Sequence, residues 1–284
     1  MVVVVAPPIS TTIAALLDTY AGVLLDAFGV LIDGSGALPG AAALLAELDR
    51  RGLPYAIVSN DASRSPSTFA RRFAGCGLTV AADRFVTAGT LLPAYFRDRG
   101  LSGAQTCVLG TDDSCAFVRE GGGVPIALAE GMQVDAVAIC DDGGTPFLEG
   151  IELALSAIVR ASEAGRRPAL VVPNPDLVYP KAADELGFTA GAMAALIEVA
   201  LARRLPHAAL VFDRLGKPEP HLFVAAARML ARPPDRLVMI GDQLETDVAG
   251  AHAAGVPAAL VAGISRWDPR SPVAPAYLLA TIEP

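Results

Sequence analysis

Leu24-Leu25-Asp26-Ala27-Phe28-Gly29-Val30-Leu31-Ile32-Asp33-Gly34 decides how this chain reads. The apolar run 20–25 delivers an acid to its own C-terminal end, with a glycine close behind. In an open α/β sheet, chemistry collects at the carboxyl ends of strands. Asp26 there is a candidate nucleophile or metal ligand. Phe28, two places on, stands where a second carboxylate would complete such a site.

The pattern repeats outward from this stretch. Residues 39–52 have apolar positions at helical spacing (Ala43, Leu44, Leu48) and predict a helix. Tyr55-Ala56-Ile57-Val58 then reads as a buried strand entering Ser59. Helix 67–74, strand 84–87 and helix 90–99 complete a first series. A second begins with strand 106–109, followed by helix 112–119, strand 136–139, helix 147–164 and strand 169–172, which enters Pro173-Asn174-Pro175. From Ala190 the first rhythm is expected to resume, with helix 191–203, strand Ala209-Leu210-Val211-Phe212, helix 220–231, strand 237–240, helix 247–254 and strand 258–261. This alternation predicts parallel sheets covered by helices. The expected division is a discontinuous α/β core over 1–99 and 188–284, with an α/β insertion over 100–187.

Composition narrows the class. The 284 residues exceed one average domain, 53% are hydrophobic, and no low-complexity linker interrupts them. A formal charge of −8 without a basic stripe excludes a nucleic-acid binder. MVVVVAPPIS is apolar but lacks a basic start and is broken by Pro7-Pro8, so it does not read as a signal peptide. No apolar run reaches the ~18–20 residues that span a bilayer. Cys76, Cys107, Cys115 and Cys140 lack metal-site spacing and read as packing residues of a reduced cytoplasm. Of 22 basic residues only Lys181 and Lys217 are lysine, which makes a compact point charge at either position informative.

Four signals share one context, an apolar strand entering a loop. They are Asp26; Val58-Ser59-Asn60, with a hydroxyl and strand-end amides suited to an anion; Gly216-Lys217-Pro218-Glu219-Pro220; and Ile240-Gly241-Asp242-Gln243-Leu244-Glu245-Thr246-Asp247. Carboxylates from separate strands suit Mg2+, which keeps waters and phosphate oxygens in its shell. A lysine offsets phosphoryl charge, and amides complete the cradle. Singly each signal is a turn or cap residue; together, in this order, they describe a phosphoryl site.

These motifs resemble those of the haloacid dehalogenase-like hydrolases, subfamily IIA, over residues 22–267. VSNDASRSP resembles the second motif of the family, GKPEPHLF the third and GDQLETDVAGAHAAG the fourth. Asn174-Pro175-Asp176 with Pro180 is similar to a segment of the subfamily's cap. Only 33 positions separate Asp26 from Ser59, whereas 158 separate Ser59 from Lys217, which leaves room for a cap only in the second interval. The resemblance implies a Rossmann-like core with an inserted type 2 cap. It implies that Asp26 attacks phosphorus and that water hydrolyses the aspartyl phosphate. Mg2+ would be held by Asp26, the Phe28 carbonyl and Asp242, with Asp247 close by. Ser59, Asn60, Lys217 and the amides of Phe28 and Gly29 would bind the phosphoryl group of a small phosphorylated metabolite. A homodimer through the cap is the implied assembly, without nucleic acid or membrane.

The chain departs from the pattern at two places. The residue two after the nucleophile is usually an Asp that protonates the leaving group and activates water, and Phe28 can do neither. Asp61 stands where the family has a neutral Asn; it reads as a turn acid or as a substitute proton donor. Asp33-Gly34 reads as a turn. Arg64 reads as a surface charge or an anion contact, the acidic loop 140–147 as a turn or an overhang, and the three histidines as structural. Two rivals stand beside the phosphatase: an impaired phosphate-binding protein, and a metal-independent dehalogenase suggested by DAFGVL.

Overall fold

The computed structural model describes residues 7–182 and 185–284, and their side chains except at 180–182. Residues 1–6 and the side chains of Pro180 and Lys181 lie outside that description. In chain order the elements are β1 (Ile9–Thr11), α1 (Ile13–Thr19), β2 (Gly22–Leu25), α2 (Ala41–Arg51), β3 (Tyr55–Ser59), α3 (Pro66–Gly75), β4 (Phe85–Thr87) and α4 (Leu92–Asp98). β5 (Gln105–Leu109), α5 (Asp112–Glu120), β6 (Val124–Ile126), β7 (Ala136–Ile139), α6 (Phe147–Glu163) and β8 (Ala169–Val172) follow. The chain continues through β9 (Val178–Ala182), β10 (Glu185–Phe188), α7 (Ala190–Arg204), β11 (Asp213–Arg214) and α8 (His221–Met229). It closes with β12 (Leu237–Gly241), α9 (Ala249–Ala253), β13 (Ala258–Val261) and β14 (Tyr277–Leu279).

Two compact units arise. One comprises residues 1–59, 66–86 and 217–284, the other 60–65 and 87–216. The first holds a seven-stranded sheet in the order β1-β14-β13-β12-β2-β3-β4. β2 lies in its interior, parallel to β12 on one side (Leu24 opposite Met239) and to β3 on the other (Leu24 opposite Ala56). All four β2 residues are buried, as expected where helices cover both faces and the strand reads as a continuous apolar run. α2 presents Ala41, Leu44, Leu45 and Leu48 to this core and ends in Arg50 and Arg51, whose charges suit a helix C-terminus. Truncating a fully buried leucine here, such as Leu24 or Leu48, costs about 2–5 kcal/mol.

The second unit holds a five-stranded sheet, β11-β8-β7-β5-β6, and the antiparallel pair β9–β10. Its core is formed by Leu109, Val137, Ile139, Ile158, Leu170 and Val172 with Met193 and Ile197 of α7. Helix α7 therefore belongs to this unit and not to the first, and the junctions differ from those expected at 99 and 188. The reason is packing: the apolar stripe of α7 closes over β7 and β8. The expected strand at 209–212 is also absent. Ala209 adopts φ 45°, outside the strand region, and only Asp213–Arg214 pairs with β8, while Leu210 and Phe212 fill the second core. Among the described residues no helix is long and apolar enough to cross a membrane.

Candidate active site

Two strand ends of the first unit, those of β2 and β12, and the segment before α8 place four ionisable side chains together. Asp26 leaves β2 with its amide donating to the Ile240 carbonyl of β12 at 3.0 Å. Asp242 follows β12 directly. Asp247 returns toward it because residues 244–248 form a wide π turn, in which the Asp247 and Val248 amides both donate to the Gln243 carbonyl. Such single π turns recur at functional sites. The Gln243 amide in turn donates to Asp247 Oδ2 at 3.1 Å.

Lys217 binds this group together. Its Nζ donates to Asp26 Oδ1 at 2.6 Å, to Asp247 Oδ1 at 2.6 Å and to the Val58 carbonyl at 3.4 Å. Lys217 and Asp26 are 4% and 5% exposed, and Asp242 and Asp247 are fully buried. Losing the lysine would leave two carboxylates without their cation, a change that costs about 3–5 kcal/mol at buried pairs.

One oxygen from each of Asp26, Asp242 and Asp247 lies within 4.8 Å of the others. Three carboxylates against one ammonium leave excess negative charge. Burial accordingly raises the Asp26 carboxyl well above the usual range, with Lys217 opposing and Asp247 and Asp242 reinforcing the shift. Burial, then the Asp247 charge, pushes Asp242 up to about 6. Lys217 is disfavoured by burial, yet the charges of Asp247 and Asp26 outweigh that and raise it. Asp242 Oδ1 is buried without a hydrogen-bond partner, while its Oδ2 accepts from the Ile264 amide at 3.4 Å. An orphan carboxylate oxygen beside two others is a hard, all-oxygen donor set, which fits a hard divalent cation.

The loop after Asp26 is tight. Gly29 has φ +90°, and a Cβ there would collide with Asp242 Oδ2, so only glycine lets the two loops approach. The Gly29 amide, expected at the phosphoryl group, donates to the Ile32 carbonyl at 2.9 Å. The turn takes that donor to close itself. Phe28 is half-buried and packs against the core: its ring stacks on Phe69 with centroids 6.3 Å apart, and the Arg72 guanidinium sits 5.3 Å from its centroid. Position 28 is thus occupied by a packed ring.

Ser59 ends β3 and is buried. The side chain of Asn60, expected at the phosphoryl group, instead has its Nδ2 donating to Asp176 Oδ1 at 2.9 Å. Sequence patterns single out both residues without joining them. Asp61 is absorbed by its own loop. Its Oδ1 accepts from the Ser63 amide at 2.8 Å and the Arg64 amide at 3.0 Å, and its Oδ2 pairs with Arg64. That employment is the turn role, and it also accounts for Arg64. Asp33 accepts from the amides of Ser35 and Gly36, a turn as expected, and the Ser35 bonds hold its carboxyl below the usual range. His252 is lowered by burial and is not among the clustered ionisable residues. All four cysteines are free, with Cys107 and Cys140 buried.

The chain has recognisable relatives. Models of a haloacid dehalogenase-like hydrolase family and of a related hydrolase-like family match residues 23–123 and 214–283. Chronophin of Homo sapiens is 30% identical over 280 residues, which cover 94% of this chain and 89% of chronophin. A solved structure of a possible sugar phosphatase of the HAD superfamily from Cytophaga hutchinsonii is 27% identical, covers 97% of this chain and 98% of its own, and superposes with a TM-score of 0.84. A glycerol phosphate phosphatase from Mycobacterium tuberculosis, solved with calcium, is 25% identical, covers 88% of this chain and 68% of its own, and has a TM-score of 0.72.

Proposed function

This chain belongs to the haloacid dehalogenase-like hydrolases, subfamily IIA, and we propose that it is a Mg2+-dependent phosphatase specialised for phosphate esters whose leaving group needs no proton. The observation that carries the reading is Lys217 held between Asp26 and Asp247 in a buried site with excess carboxylate. Asp26, the Phe28 carbonyl and Asp242, with Asp247 nearby, would hold the Mg2+. When bound, the cation neutralises charge on the phosphoryl oxygens.

An Asp26 carboxylate oxygen attacks phosphorus. The ester P–O bond breaks as the new P–O bond forms, and the leaving oxygen carries away its electron pair. Water then attacks the aspartyl phosphate, releasing phosphate and restoring Asp26. Lys217 balances the negative charge that gathers on the transferring group, and Ser59 contributes a hydroxyl at the strand end. Position 28 supplies no proton at either step. A missing general acid/base costs typically ~10²–10⁴ in rate, or roughly 3–5.5 kcal/mol of barrier. An aryl or acyl phosphate loses little of this in the first step, because its leaving oxygen is a weak base, whereas hydrolysis of the aspartyl phosphate is slowed for every ester alike. An alkyl phosphate bears the full penalty.

The second unit is the proposed cap that selects the small metabolite. Its exposed Leu177, Leu186 and Phe188 support a homodimer through that cap, and the free cysteines suit a reducing cytoplasm. The test is a panel of phosphorylated metabolites with Mg2+, assayed beside Asp26→Asn. p-Nitrophenyl phosphate should turn over far faster than glycerol phosphate, and equal rates would remove the role assigned to Phe28. A second reading, a binding protein without turnover, draws on the packed Phe28 ring. It prevails if neither protein releases phosphate from any ester while both bind it. Halide release insensitive to chelator would instead identify a dehalogenase.

A further inference from the structure

The chain passes between its two units at residues 59–60 and 216–217, among other places, so Asn60 and Gly216 are the first and last residues of the second unit. Their covalent neighbours in the first unit are Ser59 and Lys217. Both boundary residues are gripped by one loop, residues 173–176. Asn60 Nδ2 donates to Asp176 Oδ1 at 2.9 Å, and the Gly216 amide donates to the Pro173 carbonyl at 2.9 Å. The grip is close on both sides. A Cβ on Gly216 would collide with Asn60 Oδ1 and come within 2.6 Å of the Pro173 carbonyl oxygen.

The gripping loop is itself braced. Asn174 Oδ1 accepts from the Asp176 amide at 3.0 Å, and Asn174 Nδ2 donates to Thr189 Oγ1 at 3.3 Å. The Asp176 carbonyl accepts from the Gly191 amide at 3.0 Å, at the start of α7. The Asp176 backbone is therefore fixed independently of its carboxylate, whose Oδ1 serves the Asn60 amide.

We propose that Asp176 is a positioning residue for phosphoryl transfer, holding Asn60 so that Ser59 and Lys217 leave their peptide neighbours at a fixed spacing. The proposal rests on the phosphatase reading above. Asn60 then acts through its anchored side chain, as a tether rather than as a phosphoryl ligand. Displacements near 1 Å at a reacting centre are sufficient to cost on the order of 10²-fold.

The full chain is assayed with Mg2+ and p-nitrophenyl phosphate as Asp176→Ala, Asp176→Asn, Asn60→Ala and the double variant Asn60→Ala/Asp176→Ala. Amide hydrogen exchange over residues 59–61 and thermal unfolding are measured on each. Asp176→Ala should lower kcat about 10–100-fold with little change in KM, and should accelerate exchange over 59–61. Asp176→Asn should stay within about threefold of the parent, because its amide oxygen accepts the same hydrogen bond. The double variant should be no worse than either single one, as expected for partners in one interaction. Parent-like kcat in Asp176→Ala, equal damage in Asp176→Asn, or losses that multiply in the double variant would each overturn the assignment. A parent chain that releases no nitrophenol defeats the phosphatase reading instead, and the exchange over 59–61 still decides whether the tether exists.

Discussion

β2 and β7 end alike and do different things. Each is a four-residue, fully buried strand of a parallel sheet, and each runs into an acid followed by glycine: Asp26 and Gly29 after β2, Asp141 and Gly143 after β7. Burial raises the carboxyl of both above the usual range. Their partners differ. Asp141 Oδ1 accepts from the Gly143 amide at 2.8 Å and closes a local turn. Asp26 meets a buried lysine from a segment 191 residues away, and two further acids converge from the end of β12. A strand-end acid is thus only an opportunity, and long-range convergence makes it a site.

The comparison breaks first at Asp26. Asp26→Asn keeps the size of the side chain and removes the proposed nucleophile, so turnover of p-nitrophenyl phosphate should fall by on the order of 10⁴-fold or more. Steady-state release of nitrophenolate measures this, and retention of substantial activity would place the chemistry elsewhere. Phe28→Asp tests what this strand end lacks. Hydrolysis of glycerol phosphate should rise toward the ~10²–10⁴-fold that a general acid/base supplies. The parent should show a burst of nitrophenolate followed by a slower phase, since nothing at position 28 activates the hydrolytic water, and the burst should vanish in the variant. Loss of ring contacts with Phe69 and Arg72 should lower its stability by about 1–3 kcal/mol.

Proton linkage gives a gentler test. The folded pKa values of Asp242, about 6, and of Asp26 lie above their unfolded values, so between those limits the folded chain binds more protons than the unfolded one. Stability of the metal-free chain should therefore be greatest near the unfolded pKa and decline as pH rises through the folded values, by on the order of 1–3 kcal/mol. Thermal unfolding without metal should show a lower Tm at about pH 8 than at about pH 5. Added Mg2+ should raise Tm more at the higher pH, because cation and protons compete for the same oxygens. The smallest effect belongs to the other strand end. Asp141→Asn keeps an oxygen for the Gly143 amide, and turnover should stay within about threefold, the scale of an interaction worth under ~1 kcal/mol. A larger loss would give Asp141 a chemical role.

The same contrast separates what is legible in the sequence from what is not. Asp26, Ser59, Lys217 and Asp242 stand out because each follows an apolar run or breaks a compositional habit, and these are local signals. The employment of the Gly29 amide is not legible, since a turn can close on any nearby carbonyl. Asn60 and Asp176 each stand in a readable motif, but 116 residues separate them and nothing local joins them. β1 and β14 are three residues each, with β1 largely exposed, and they are defined by parallel pairing, β1 with β14 and β14 also with β13. Strand propensity at 209–212 is overridden by the left-handed turn at Ala209 and by the need to bury Leu210 and Phe212.

The placement of β2 also dictates an order of manufacture. As the chain emerges from a ribosome, Leu24 can meet its β3 neighbour Ala56 early, but its other neighbour, Met239, arrives only after the whole of residues 87–216 has been made. The five-stranded sheet draws all its strands from that earlier stretch and can settle first. Pairings so distant in sequence are slow to form. The strand that ends at Asp26 therefore waits half-zipped, with an apolar edge uncovered, and this is the interval in which a chaperone has most to protect.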